Sequence, residues 1–339
     1  MNQICKRPNS ISQRQTNSIM MKLRLFKIIC VLLMMFNIWT HPAYASNPDK
    51  KKLAENHSCS KCDLSGESLN GLYLNKYDLS ESTLIKTDLT SAYLDNANLK
   101  RANLFLAKLS GATLTEANLE EANLTGSDLN GAKLDGAKLK KADLSGASMI
   151  KTNFHDAQLS EAKLNRANLT DANMTGAEMY HTNLVGANLN NASLYSGKKR
   201  TNLESANFNG ATLVNANLSD ANLKSASLVG ANLTNAVLSS VDLSYADLDK
   251  AILKNVNLHR ANLKEANLSY ALLIGADLSE TDLRKAILRG VDLTGVNLDS
   301  ANLQGAILPD GSVYEDSNNS IGMFTIEKFI GSVKNKIKF

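Results

Sequence analysis

Cys59-Ser60-Lys61-Cys62 is the one compact motif in this 339-residue chain whose residue types and spacing could do chemistry. Two nearby cysteines can close a disulfide, exchange disulfides with another thiol, or contribute to a metal site. A metal needs further ligands, and His57 is the only histidine close by. A thioredoxin-like role would need a surrounding βαβ pattern, which the flanking residues do not show. The expectation is a structural disulfide between Cys59 and Cys62, with a thiol–disulfide role as an alternative. His155, His181 and His259 lie far apart, share no row of acids and read as surface residues. No Gly-rich phosphate loop, nucleophile elbow or paired-carboxylate motif stands out. The chain is read as non-enzymatic, with no metal or cofactor.

What must position these residues is a repeat. A leucine falls on every fifth residue in units of Ala-(Asn/Asp)-Leu-x-x, as in Ala97-Asn98-Leu99, Ala117-Asn118-Leu119 and Ala261-Asn262-Leu263. One run of 27 centres opens at Leu64 and closes at Leu194, and a second run of 22 opens at Leu203 and closes at Leu308. Met149, Phe154, Met174, Met179 and Phe208 replace leucine and keep the position apolar. The register breaks over 195–202, where two centres stand nine residues apart. Either one residue is lost or four, 197–200, are inserted. Gly197, Lys198, Lys199 and Arg200 suit an outward loop, and loops absorb insertions at little entropic cost. The expectation is an insertion, with Lys198, Lys199 and Arg200 as a candidate basic loop for an anionic surface.

A five-residue period fits neither a helix nor the simple alternation of a strand. On a helix the leucines would spiral around the surface and leave no single face to bury. A chain that turns a corner every five residues points each leucine inward, together with the alanine two positions before it. In this the chain resembles the pentapeptide-repeat family over about 245 residues. The resemblance implies an all-β fold, a right-handed quadrilateral β-helix with four units per coil. Leu and Ala would stack inside, and the other three positions would face solvent. About 12 coils at a strand spacing of ~4.8 Å would make a rod of about 60 Å. Both ends of such a solenoid need covering. Cys62, Glu67, Leu72 and Tyr77 stand where alanine is expected in the first coil. At the far end Leu308-Pro309-Asp310-Gly311-Ser312 stops the repeat, proline denying the ladder a donor.

The segments outside the repeat read differently. Lys22, Arg24 and Lys27 precede an apolar run at 28–39, and Ala43-Tyr44-Ala45 supplies a small-residue cleavage signature. Residues 1–45 are read as a secretory signal peptide, with translation starting at Met1 or at Met20 or Met21. The polar stretch at 46–61 is read as a flexible lead-in carrying the cysteine pair, followed by the repeat at 62–310. Residues 311–339 are read as a C-terminal cap with a short helix at 325–339. There Ile326, Phe329, Ile330, Val333 and Ile337 have helical spacing. Lys328, Lys334, Lys336 and Lys338 give that tail an alternative as a membrane contact.

Charge limits the partners. The chain has 37 basic and 33 acidic residues, but six basic residues and no acid lie in 1–45, leaving 31 basic and 33 acidic. A nearly neutral body has no strong field with which to attract nucleic acid or to imitate it. In a coil of twenty residues, outward side chains twenty apart stack. Ile252 and Leu272, with Ile274 beside them, form a candidate interface, as do Ile85, Phe105 and Leu106, and Tyr73 with Tyr93. The reading is an exported, non-enzymatic structural or interaction rod, periplasmic or secreted after cleavage near Ala45. Its partner would be an unidentified protein or a second copy. The resemblance also implies an alternative, the quinolone-resistance members that imitate DNA and bind type II topoisomerases. The near-neutral body and the signal peptide oppose it.

Overall fold

The computed structural model describes residues 47–195 and 197–315. The signal peptide expected at 1–45 and the helix expected at 325–339 lie outside the described residues. Helix α1 (Pro48–Asn56) and the repeat, which begins at His57, belong to separate compact units.

Helix α1 corrects the reading of a flexible lead-in. The run Lys50-Lys51-Lys52 suggested a solvated coil, but the local signals for a helix start are all present. Asn47 Oδ1 accepts the Asp49 N–H at 2.9 Å. Pro48, at the first helical position, has its φ already set and no N–H to leave unpaired. Asp49 places a negative charge at the positive end of the helix dipole, and Lys51 pairs with Glu55 one turn on at 3.9 Å.

The repeat folds as a β-helix. Parallel bridges join residues twenty apart in four rows, from Ser58↔Asp78 to Ile287↔Ile307. One unit shows why this sequence makes this coil. The Asn98 N–H donates to Tyr77 O at 2.8 Å, Leu99 N–H to Asn118 O at 2.7 Å and Arg101 N–H to Glu120 O at 2.9 Å. Ala102 N–H closes the corner onto Leu99 O at 3.0 Å. The backbone ladder leaves one donor per unit, that of the residue after leucine, and the side chain before leucine takes it: Lys100 N–H donates to Asn98 Oδ1 at 3.3 Å. Asn or Asp is preferred there because it accepts that bond, as Asp88 does from Thr90 N–H and Asp277 from Ser279 N–H, each at 3.0 Å. Arg101, at the corner, holds φ at 58°, the left-handed region that the third residue of such a turn requires. Leu99 and Ala102 are fully buried, and the same two positions make the core of the coils between the two ends. Alanine predominates at this corner, and Val241, Val256, Thr152 and Thr182 are buried in the same position where it is replaced.

The repeat starts one unit before Cys62. Cys59 lies five residues ahead of Leu64 and is fully buried in the leucine position, while Cys62 occupies the alanine position. Glu67, Leu72 and Tyr77 take the alanine positions of the rest of this coil and are half-buried. His57 rests edge-on against Tyr77, ring centroids 4.9 Å apart.

At the register break the bridges Glu178↔Asn202 and Ser193↔Asn217 span 24 residues where all other coils span twenty. Four residues are thus inserted without loss of the ladder on either side. Thr201, in an alanine position and fully buried, repairs the corner. Its hydroxyl donates to Leu194 O, in a very short bond, and accepts the Gly176 N–H at 3.1 Å. In a regular coil both would be paired by backbone.

The last coil ends in a reversal. Pro309 O accepts the Gly290 N–H at 3.0 Å. The chain then turns through Gly311, at φ 89°, with Ser312 N–H and hydroxyl both on Asp310 Oδ1 at 3.0 and 2.6 Å. Val313 bridges Ile307 in antiparallel sense. Tyr314 O accepts the Gly305 N–H and Tyr314 N–H donates to Ala306 O, each at 2.8 Å.

Candidate interaction surface

Cys59 and Cys62 are disulfide-bonded, with Cα atoms 5.3 Å apart. Both sulfurs lie inside the first coil, where a leucine and an alanine would otherwise touch. Both residues are buried in core positions, which fits a place at the end of the core.

The histidines are dispersed. His155 Nδ1 lies 3.0 Å from Thr175 O and 3.1 Å from Thr175 Oγ1, His259 Nδ1 lies 2.9 Å from Ser279 Oγ, and the His181 ring tilts over Tyr180 at 3.8 Å. Each is engaged with its own neighbours. Among the described residues no three His, Cys, Asp or Glu side chains come together as a metal site.

The inserted loop is less cationic than its sequence suggests. Lys199 folds back over Gly176 and pairs with Glu178 at 3.2 Å and Asp156 at 3.5 Å. Those two acids neutralise the centre of the Lys198, Lys199, Arg200 cluster, so it does not present three free charges to an anionic surface. A recess of about 250 Å³ lies beside it, walled by Tyr195, Ser219 and Asp220 among others.

Leu272 and Ile274 are exposed, at 43% and 51% of their surface, and Ile252, half-buried, bridges Leu272 from the coil before. This row of bridges stops at Leu272, whereas the other three continue to Asn297, Asn302 and Ile307. Val291 and Val296 stand in the two alanine positions flanking Leu293. Leu293, like Leu298, Leu303 and Leu308 of the same final coil, is only half-buried. The apolar patch therefore sits where its own ladder ends. Tyr73 and Tyr93 stack at 4.5 Å with ring planes 2° apart, and Phe105 and Leu106 are exposed.

Charge on the rod is arranged coil against coil. Lys100 Nζ reaches Glu120 at 2.8 Å, Arg101 forks onto Glu121 at 2.9 and 3.4 Å, and Arg260 Nε reaches Glu280 at 2.7 Å. Each cation's hydrogen bond holds its glutamate below the ordinary carboxylate value. Asp88 and Asp277 are held down in the same direction by the hydroxyl and N–H of Thr90 and Ser279. None of these groups is buried into a reactive state. The lowered values belong to structural pairs, and they are the interactions that the sequence reading did not single out.

The pentapeptide-repeats family model matches in overlapping segments at 58–191 and 201–310, and the gap falls on the inserted loop. HetL, a pentapeptide repeat protein involved in heterocyst differentiation regulation in the cyanobacterium Nostoc sp. strain PCC 7120, is 35% identical over 73% of this chain and 93% of its own, with a TM-score of 0.25. Rfr23 from the cyanobacterium Cyanothece 51142 is 39% identical over 31% of this chain and 64% of its own, with a TM-score of 0.18. QnrB1, a plasmid-mediated fluoroquinolone resistance protein, is 19% identical over 64% of this chain and 92% of its own, with a TM-score of 0.21. No curated protein matches the chain. On its repeat unit, its coil and a family match over most of its length, the chain belongs to the pentapeptide-repeat family, whose solenoid is a right-handed β-helix.

Proposed function

We propose that the chain is an exported, non-enzymatic interaction rod of quadrilateral cross-section, closed at its C-terminus by the helix at 325–339, and that it acts by presenting its surface to a partner protein. The observation that carries this reading is the commitment of the unit. In Asn98–Ala102 every backbone N–H is paired and the two apolar side chains are inside, which leaves the outward side chains to meet a partner. A protein built this way recognises by its outer columns. The Ile252, Leu272, Ile274 patch is the contact we assign to the partner, since contiguous exposed apolar area favours association. Export rests on Lys22, Arg24 and Lys27, the apolar run at 28–39 and Ala43-Tyr44-Ala45. The near-neutral body argues against imitation of DNA, and the burial of both sulfurs argues against thiol exchange.

Fractionation of cells expressing the full chain, with N-terminal sequencing of the product, tests export. A processed protein outside the cytoplasm beginning at Ser46 supports it, and an intact cytoplasmic chain overturns it. Partner capture with the Leu272→Asp, Ile274→Asp double variant tests the patch. Loss of a partner held by the native chain supports it, and an unchanged set of captured proteins removes it.

A further inference from the structure

One edge of the rod carries a charge pattern that none of the sites above uses. At six consecutive corners, each twenty residues after the last, stand Lys61, Glu81, Arg101, Glu121, Lys141 and Glu161. All six have left-handed φ, between 56° and 61°, and so project from the same edge. All are exposed, with between 41% and 72% of each side chain accessible. Sign alternates without exception. Within the chain the column is already paired in twos: Lys61–Glu81 at 3.6 Å, Arg101–Glu121 at 2.9 Å and Lys141–Glu161 at 3.5 Å.

An alternating column with an even number of members has a property that an intrachain ladder does not need. Turned end for end and laid against itself, it meets opposite charge at every step. Lys61 faces Glu161, Glu81 faces Lys141 and Arg101 faces Glu121. The neighbouring columns of the same face obey the same rule. In the column before the corner Lys100 faces Glu120, and in the next Asp78 faces Lys138. In these three columns the arrangement brings no like-charged pair together. Sliding one copy by a single coil puts Lys61 on Lys141, Glu81 on Glu121 and Arg101 on its own copy. A parallel arrangement in register sets like on like throughout. Slides by an even number of coils, or a parallel shift of one coil, also oppose unlike charges but leave some members unopposed; only the end-for-end arrangement in full register opposes all six.

We infer that this edge is an isologous contact for a second copy of the same chain, the two rods lying antiparallel about a two-fold axis between the coils of Arg101 and Glu121. The inference names one partner for the interaction reading above. It rests on that reading only in treating the rod as a binding surface, and it holds whether or not the chain is exported. Surface ion pairs are individually weak and salt-screened, so the association is reversible and electrolyte-sensitive, and charge here specifies geometry more than affinity.

The test is sedimentation equilibrium of the purified full chain. The native protein is expected to dimerise reversibly at low salt and to return toward monomer at about 0.5 M salt, where the Debye length is only a few Å. Arg101→Glu and Glu121→Lys each place like charges across the axis twice, and each alone is expected to weaken dimerisation by about tenfold or more. Mixed one to one, the two variants again set opposite charges across the axis at both of these contacts, and the mixture is expected to recover dimer. The intrachain pair stays broken in both variants, so recovery reports the contact between copies. Glu81→Lys with Lys141→Glu repeats the design should the first pair fold poorly. A native chain that is monomeric at every concentration and salt overturns the inference. So does a mixture no more associated than its components. Neither result bears on capture of a different protein through Leu272 and Ile274.

Discussion

Removing one hydroxyl at Thr201 should cost more than removing its equivalents anywhere else in the coil. Thr182 and Thr152 also occupy alanine positions, and their hydroxyls donate to Leu159 O at 3.0 Å and Leu129 O at 2.8 Å. Those carbonyls keep a second donor, Ala162 N–H at 3.0 Å and Ala132 N–H at 2.9 Å. Among the described residues Leu194 O has no such reserve, and Gly176 N–H has only the Thr201 oxygen. Both groups are buried. Leaving a buried polar group unpaired costs about 1–3 kcal/mol, so Thr201→Val, which orphans two, should lose about 2–6 kcal/mol, whereas Thr182→Val should stay within about 1 kcal/mol. Valine keeps the shape, which isolates the hydrogen bonds from packing. Because coils couple mainly to their neighbours, the loss should concentrate at the insertion. Denaturation measures the total, and hydrogen exchange at the Gly176 amide measures the site. Equal losses for the two variants, with Gly176 exchange unchanged, would refute the reasoning.

Three further outcomes are expected. The Cys59–Cys62 disulfide should resist millimolar reductant in the native protein and be reduced quickly once denaturant opens the first coil, as followed by thiol labelling; rapid reduction without denaturant would show the sulfurs to be accessible. A Cys59→Leu, Cys62→Ala variant, which restores the repeat rule, should keep the coil and its cooperative melt by circular dichroism. Acid should unfold the rod from a flat plateau. Asp88, Asp277 and Asp292 have values lowered by the hydroxyl and N–H two residues on, so their contribution is full above the unfolded value of about 3.9 and is lost as pH falls through the lower folded values. Melting temperature should therefore hold from about pH 8 to about 5 and fall below about 4, and a decline beginning near neutrality would assign the sensitivity elsewhere.

The coil was legible because its period admits few alternatives. A leucine every fifth residue cannot be buried by helix or strand, and twenty-residue stacking follows once the corner is accepted. What escaped reading did so for definite reasons. Cys59 stands five residues before Leu64, but the unit His57-Ser58-Cys59 carries neither leucine nor alanine, so the repeat seemed to begin at Cys62. The Asn47-Pro48 start of α1 was present, but the helix lacks the apolar stripe that announces one. Thr201 looks like another stand-in for alanine, and its repair of the corner exists only because four residues leave the coil before it. Lys199 reads as a free cation until the fold sets it beside Glu178 and Asp156. The alternating edge needed only steps of twenty along the sequence, whereas its ion pairs and exposure needed the structure.

The bond from the residue after leucine to the side chain before it has a consequence for how such rods diverge. Asparagine and aspartate accept that N–H equally well: Asn98 takes it from Lys100 at 3.3 Å and Asp78 from Ser80 at 3.1 Å. Exchanging one for the other changes the charge of the rod by one and keeps this backbone bond and the core, though an aspartate gives up the amide bond an asparagine makes to the coil before, as Asn98 Nδ2 makes to Asp78 Oδ1 at 2.9 Å. Repeated over dozens of units, this substitution can carry the same scaffold from near neutrality to a strongly anionic column. Electrostatic character is then inherited separately from architecture, and a rod's net charge records what it has been selected to meet.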